Sequence, residues 1–315
     1  MRIQLQEAIN KLKHGEVVAI PTETVYGLAA DASNEDALRQ IYAIKARPND
    51  NPLIVHIADV SQVEHFAAEF SPLAKKLAQA FWPGPFTLVL PAKNTVSNIV
   101  RGNQPTVALR VPNHLLALQL LKESGLALAA PSANKYTQLS PTSADHVLAG
   151  LGDALPVLDG GACEVGIEST IVAVQGENWQ LLRLGMVTEA SIVGVAGCAS
   201  KKLSQTIKAP GQHVLHYSPR TPMRLFASRD ALIASAQAHI KSHAPAAALV
   251  LGSGAVPDCS CFELNKNAAD VAQKLYDTLH KMDALGVKEL LIEAPPNEAQ
   301  WLAILDRLTR AAHGS

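Results

Sequence analysis

Aromatic residues are scarce, at 4% of 315 positions, and no cluster of them offers a platform for stacking bases. Positive charge is not in excess either: 27 basic residues face 28 acidic ones, a formal net charge of -1. Holding nucleic acid nonspecifically normally takes a basic surplus, so an RNA-binding module is the weaker class, although neutrality is compatible with local basic pockets. The four cysteines, at 163, 198, 259 and 261, are too few and too unevenly placed for a disulfide framework. Cys259 and Cys261 have no second Cys or His pair at finger-like spacing, which favours buried or loop thiols over a zinc site. No metal ligands are assigned from the sequence. No apolar run reaches membrane-spanning length, and MRIQLQEAINKLKHGEVV lacks the continuous apolar core of a signal peptide. The expectation is cytoplasmic residence with no membrane partner. Walker, HExxH and GxSxG motifs are missing too, and LGSG at 251–254, without a third glycine, reads as a tight βα turn.

What is present describes a globular chain: 48% hydrophobic and 17% charged residues, at a length that favours two domains. Strand signals occur at 17–20, 52–57, 87–91, 106–111, 126–131, 155–161, 168–174 and 179–184. Helical stretches alternate with them, giving an α/β expectation. Ser33 and Asn34 open one helix, Ser61 with Glu64 resembles a capping box, and Ser71-Pro72 is a cap followed by proline. Residues 185–208 lose the rhythm, and PGQHVLHYSPRTP at 210–222 reads as a linker. Three strand–helix units follow it, with helices over 229–241, 267–283 and 297–312, predicting a small doubly wound parallel sheet.

Four polar clusters stand out. PTETVYGL at 21–28 crowds Thr22, Glu23, Thr24 and Tyr26 after a strand end, with a capping role and a functional one evenly matched. Lys45 and Arg47 close a helix ahead of a polar turn that includes Asn51, and His56 follows inside an apolar strand. On their own, the basic pair would complement the helix dipole and the histidine would be a core residue. Arg110 alternates with Val107, Leu109 and Val111 on a strand and needs a partner if buried. A structural ion pair and a bound anion both fit, and with no acidic residue close by in sequence the expectation tilts slightly toward the anion; Arg183 poses the same question. Finally, Ser132 and Asn134 follow a strand, and Ser140 precedes a new helix, at junctions whose hydroxyls and N–H groups suit phosphate oxygens.

Taken together these segments resemble the YrdC/Sua5 family. Lys45-Ala46-Arg47 with Ser132-Ala133-Asn134 matches its KxR…SxN signature, and PTETVYGL, NPLIVHI, FWPGPFTLVL, ALRVP, GIESTIV and LLRLG follow in the family's order. The resemblance implies an N-terminal domain (1–200) with a twisted mixed sheet around a basic cavity, a linker (201–222), and a small Rossmann-like C-terminal domain (223–315). It implies synthesis of threonylcarbamoyl-AMP and pyrophosphate from L-threonine, bicarbonate and ATP with Mg2+, and downstream proteins that transfer the group to tRNA. Direct tRNA binding is left open. By motif, Thr24, His56, Arg110, Ala130 (through its backbone) and Ser169 match threonine-holding positions. Arg47, Asn51, Thr106, Ser132, Asn134, Ser140 and Arg183 match ATP-contacting ones, and Lys45 and Arg47 are the catalytic candidates beside the phosphates. One further ATP-contacting position, a linker tyrosine in many long members, is Val214 here, which leaves His213, His216 or Tyr217 to make that contact. Hydrogenase-maturation relatives share the fold but carry acylphosphatase and zinc-binding segments that this sequence lacks.

Overall fold

The computed structural model describes residues 1–203, 207–211, 217–254, 256–257 and 259–312. The chain divides into two compact units, Met1–Tyr136 with Pro141–Gln212 and Thr137–Ser140 with His213–Ser315.

The first unit is built on β1 (Arg2–Ile3), β2 (Val18–Ile20), β3 (Gly27–Asp31), β4 (Ile54–His56), β5 (Phe86–Pro91), β6 (Thr106–Arg110), β7 (Leu128–Ala129), β8 (Val157–Leu158), β9 (Thr170–Gln175) and β10 (Asn178–Arg183). They form one mixed sheet in the order β1-β8-β2-β3-β7-β4-β6-β5-β9-β10. Its middle is buried on both faces, so period-two alternation sorts residues between two cores. Val107 and Leu109 join Val55 and Leu88 on one side, while Ala108 joins Ile54, Val89 and Ile171 on the other. The same pleat and the β4–β6 register set His56 opposite Arg110.

The helix Glu35–Lys45 delivers the KxR segment. Asn34 caps it by accepting from the N–H groups of Asp36 and Ala37, and Ala46 ends it in the left-handed region at φ 52°. That conformation costs a Cβ-bearing residue about 1–2 kcal/mol; it turns the chain between Lys45 and Arg47. Two helix expectations change. Ser61 does not cap: Asp59 accepts from its N–H and hydroxyl at the head of a short 3-10 turn, Val60–Gln62. The stretch after 185 is not irregular throughout, because Thr188 caps a helix at Glu189–Ala196.

The second unit is a parallel sheet of β11 (Met223–Phe226), β12 (Ala246–Leu251), β13 (Ser260–Leu264) and β14 (Glu289–Glu293) in the order β11-β14-β12-β13. Helices Arg229–Lys241, Ala268–Asp283 and Leu302–Ala312 accompany it. The edge strand β13 is absent from the sequence reading, since Cys-Phe-Glu between polar residues is too short and mixed to show a period. Tyr217, one of the linker residues considered for nucleotide contact, is buried within this unit, its ring 6.0 Å from that of Tyr276 and 4.9 Å from the Arg307 guanidinium.

Candidate active site

Arg110 closes β6 with its guanidinium only 4% exposed. It lies against an equally buried carboxylate: Nη2 is 2.7 Å from Oε2 of Glu23, itself 2% exposed. Nε donates to the Gly84 carbonyl at 3.2 Å and Nη1 to Thr24 Oγ1 at 2.9 Å. Of the two partners the sequence left open for Arg110, the structure supplies an ion pair, because the loop joining β2 to β3 brings Glu23 to it across the fold. The ion pair is close but poorly aligned. Among the described residues neither Glu23 oxygen accepts a hydrogen bond, and Arg110 Nη2 donates none. Charge, not directed hydrogen bonding, links the two. Thr24 is held in turn by Thr22, whose Oγ1 lies 2.9 Å from Thr24 Oγ1 and donates to the Val25 carbonyl.

His56 is buried beside Arg110, and its Nδ1 has no hydrogen-bond partner among the described residues. Burial first, and then the charge of Arg110, pushes its pKa down to about 3, against weaker support from the backbone at Ile54 and Leu128. The ring is neutral at any physiological pH and adds no second positive charge. It departs from a satisfied core histidine in having one ring nitrogen unused.

The Lys45 ammonium lies at the C-terminal end of its helix. It is buried and donates to the carbonyls of Ser132 (2.5 Å) and Asn134 (2.6 Å), tying the helix end to the SxN loop. Burial, followed by the charges of Arg47 and Lys135, holds its pKa well below the usual lysine range, with Glu168 opposing. Arg47 donates to the Pro52 carbonyl at 2.9 Å and to the Asn51 carbonyl at 3.4 Å, and its guanidinium lies 6.0 Å from the centre of the Tyr136 ring. Asn51 also takes the Tyr42 hydroxyl on its carbonyl, and Thr106 starts β6 half-buried opposite Pro91.

The SxN loop itself is set by close backbone approach. Gly27 bridges Ser132, and a Cβ on Gly27 would meet the Ala130 Cβ at 3.0 Å, so only glycine sits there without displacement. The Ala130 N–H is taken by the Ile54 carbonyl, which leaves its carbonyl for the backbone contact expected at this position. Farther along the sheet, Arg183 donates from Nε to the Ser169 carbonyl (3.0 Å), from Nη2 to Ser169 Oγ (3.1 Å) and from Nη1 to the Pro210 carbonyl (3.3 Å). A register irregularity between Leu181 and Arg183 re-aims the arginine, and Thr87 Oγ1 lies 2.7 Å from Ser169 Oγ.

Three of these segments are tied to residues 21–27 and 84–85. Ala133 donates its N–H to the Tyr26 carbonyl, Gly84 accepts from Arg110, and Pro85 accepts from Thr170 next to Ser169. Of the remaining expected residues, Ser140 belongs to the second unit, where its carbonyl faces His280 Nε2 at 3.2 Å. Val214, His213 and His216 lie outside the described residues. Sequence reasoning flagged the crowding around Glu23 but not its role, and it missed Gly84, Thr87 and Tyr136. Only the FWPGPFTLVL match pointed near the first two.

Two family models cover the chain: "Telomere recombination" over residues 10–185 and "Threonylcarbamoyl-AMP synthase, C-terminal domain" over residues 183–313. The chain is 39% identical to the threonylcarbamoyl-AMP synthase of Bacillus subtilis (strain 168), spanning 99% of this chain and 93% of that one. It is 37% identical to the protein of the same name from Pyrococcus abyssi (strain GE5 / Orsay), over 98% and 94% of the two chains. A crystal structure of P. abyssi Sua5 complexed with L-threonine superposes with a TM-score of 0.91 at 34% identity, over 99% of this chain and 96% of that one.

Proposed function

The chain belongs to the YrdC/Sua5 family in its two-domain form, and on that premise we propose that it joins L-threonine, bicarbonate and ATP into threonylcarbamoyl-AMP and pyrophosphate. The observation that carries this reading is the match, through both units, to relatives of that name. In the reaction, the amino group of threonine captures bicarbonate-derived carbon as a carbamate. A carbamate oxygen then attacks the α-phosphorus of ATP, and pyrophosphate leaves.

In this reading Arg110, Thr24, His56, Ser169 and the Ala130 backbone hold threonine. Arg47, Asn51, Thr106, Ser132, Asn134, Ser140, Arg183 and the linker at Val214 hold ATP, and Lys45 and Arg47 set the charge beside the phosphates. Neutral His56 supplies polarity without competing with Arg110 for the carboxylate. No covalent nucleophile is needed, because positioning and charge stabilisation at phosphorus supply most of the acceleration. Among the described residues no group of three or more His, Cys, Asp and Glu side chains could hold a metal ion. We assign Mg2+ to the MgATP substrate, with phosphate oxygens and water as its main ligands. No helix among the described residues is long and apolar enough to cross a membrane, and we place the reaction in the cytoplasm, upstream of proteins that pass the threonylcarbamoyl group to tRNA.

The test is pyrophosphate release from MgATP. Release that requires both L-threonine and bicarbonate, and that disappears in Arg110→Ala, is the expected result. Folded protein that releases none in their presence would discard the synthase reading in favour of RNA binding or carbamoyl transfer.

A further inference from the structure

Glu23 has no assigned part in the reaction, yet its carboxylate is among the most completely desolvated in the first unit and, among the described residues, makes no hydrogen bond with either oxygen. A buried carboxylate in that state calls for an explanation, since the charge of Arg110 offsets its desolvation only in part while its hydrogen-bonding capacity goes unused. Its counter-ion is in the same position. A guanidinium has five N–H donors, and Arg110 uses Nε on Gly84 and one Nη1 hydrogen on Thr24, leaving Nη2 without an acceptor. Two opposite charges 2.7 Å apart each keep hydrogen-bonding directions that the other does not fill.

Two titratable neighbours add no charge of their own. His56 is neutral, with its pKa near 3, and the Cys163 thiol is pushed up to about 12, by burial first and then by the charge of Glu23. The site therefore presents, at this point, one positive and one negative group side by side. A simple carboxylate entering it would face Glu23 as well as Arg110. A zwitterion would meet a partner at each end and leave the ion pair in place.

We propose that Glu23 and Arg110 form a split socket for a free α-amino acid, in which Glu23 takes the α-ammonium while Arg110 takes the α-carboxylate. This rests on the threonine reading above and makes Glu23 the residue that distinguishes an amino acid from a hydroxy acid.

Calorimetric titration of the full chain compares L-threonine with 2,3-dihydroxybutanoate of matching configuration, in which a hydroxyl replaces the ammonium. Wild type should prefer threonine by at least about tenfold, the scale of one charge-assisted hydrogen bond. Glu23→Gln should bring the two ligands to near equality, and Glu23→Asp should retain part of the preference. Thermal melts confirm that each variant is folded. Wild type binding both ligands equally, or folded Glu23→Gln keeping the wild-type ratio, would overturn the proposal and reduce Glu23 to a counter-charge for Arg110. Protein that binds MgATP but neither ligand would remove the threonine reading itself, and the socket with it.

Discussion

Each unit contains an Arg–Glu pair at the end of its strands, and the two are built differently. In the second unit Arg229 donates to Glu293 from both Nε (3.0 Å) and Nη2 (2.7 Å), and its other bonds go to the carbonyls of Gly254 and Leu251. Glu293 also accepts the Leu251 N–H. Glu293 Oε2 takes all three of these bonds, both side chains are partly exposed, and the pair ties β12 to β14. In the first unit Arg110 and Glu23 are nearly inaccessible and share charge without a well-formed hydrogen bond. A directly hydrogen-bonded pair at the rim has the properties of a structural clamp. A buried pair with hydrogen-bonding capacity to spare has those of a binding site.

The largest effect that would separate the two comes from Arg110→Met. It strands the Glu23 carboxylate in the interior, so the first unit should lose about 3–5 kcal/mol in urea unfolding, and threonine-dependent pyrophosphate release should vanish. A loss below about 1 kcal/mol would show that the pair is no more than a surface-type contact. Next, Lys45→Met removes both ties to the SxN loop, and pyrophosphate release should fall by about 100-fold, the scale of losing one preorganised charge. Full activity in that variant would remove Lys45 from the chemistry.

Acid titration sharpens the contrast at an intermediate scale. Below the ordinary histidine pKa of 6.5 the unfolded chain takes up a proton at His56, whereas the folded one stays neutral down to about 3. The stabilisation is therefore complete above 6.5 and is lost as pH falls through that window, at up to about 1.4 kcal/mol per pH unit. His56→Leu should flatten this slope, and an unchanged slope would mean that the ring is protonated in place. The smallest effect is expected from Arg229→Ala, which should cost about 1–2 kcal/mol in the second unit and leave pyrophosphate release at the wild-type rate. A drop in turnover would show that the clamp reaches the chemistry.

Much of the architecture was legible wherever a local rule acted alone. Strands with β-branched or Leu-rich runs, such as Thr106–Arg110 and Thr170–Gln175, are where the alternation puts them, and the Asn34 and Ser71 caps rest on bonds to N–H groups within the next turn. Gly27–Asp31 was hidden because its small residues blur into the polar PTET run, and Glu189–Ala196 because an almost wholly apolar helix shows no stripe. The site was legible residue by residue but not as pairs. Nothing local to Arg110 announces Glu23, and nothing near Lys45 announces the Ser132 and Asn134 carbonyls, since the fold supplies both meetings.

The enclosure of Lys45 also makes it a reporter. Its amine is 1% exposed and fastened at two carbonyls, while lysines such as Lys135 and Lys208 stand at the surface. An acylating reagent will modify those surface amines in the native protein at once. It reaches Lys45 only when the helix end parts from the SxN loop, so the mass of the peptide carrying Lys45 keeps time for the opening of the first unit.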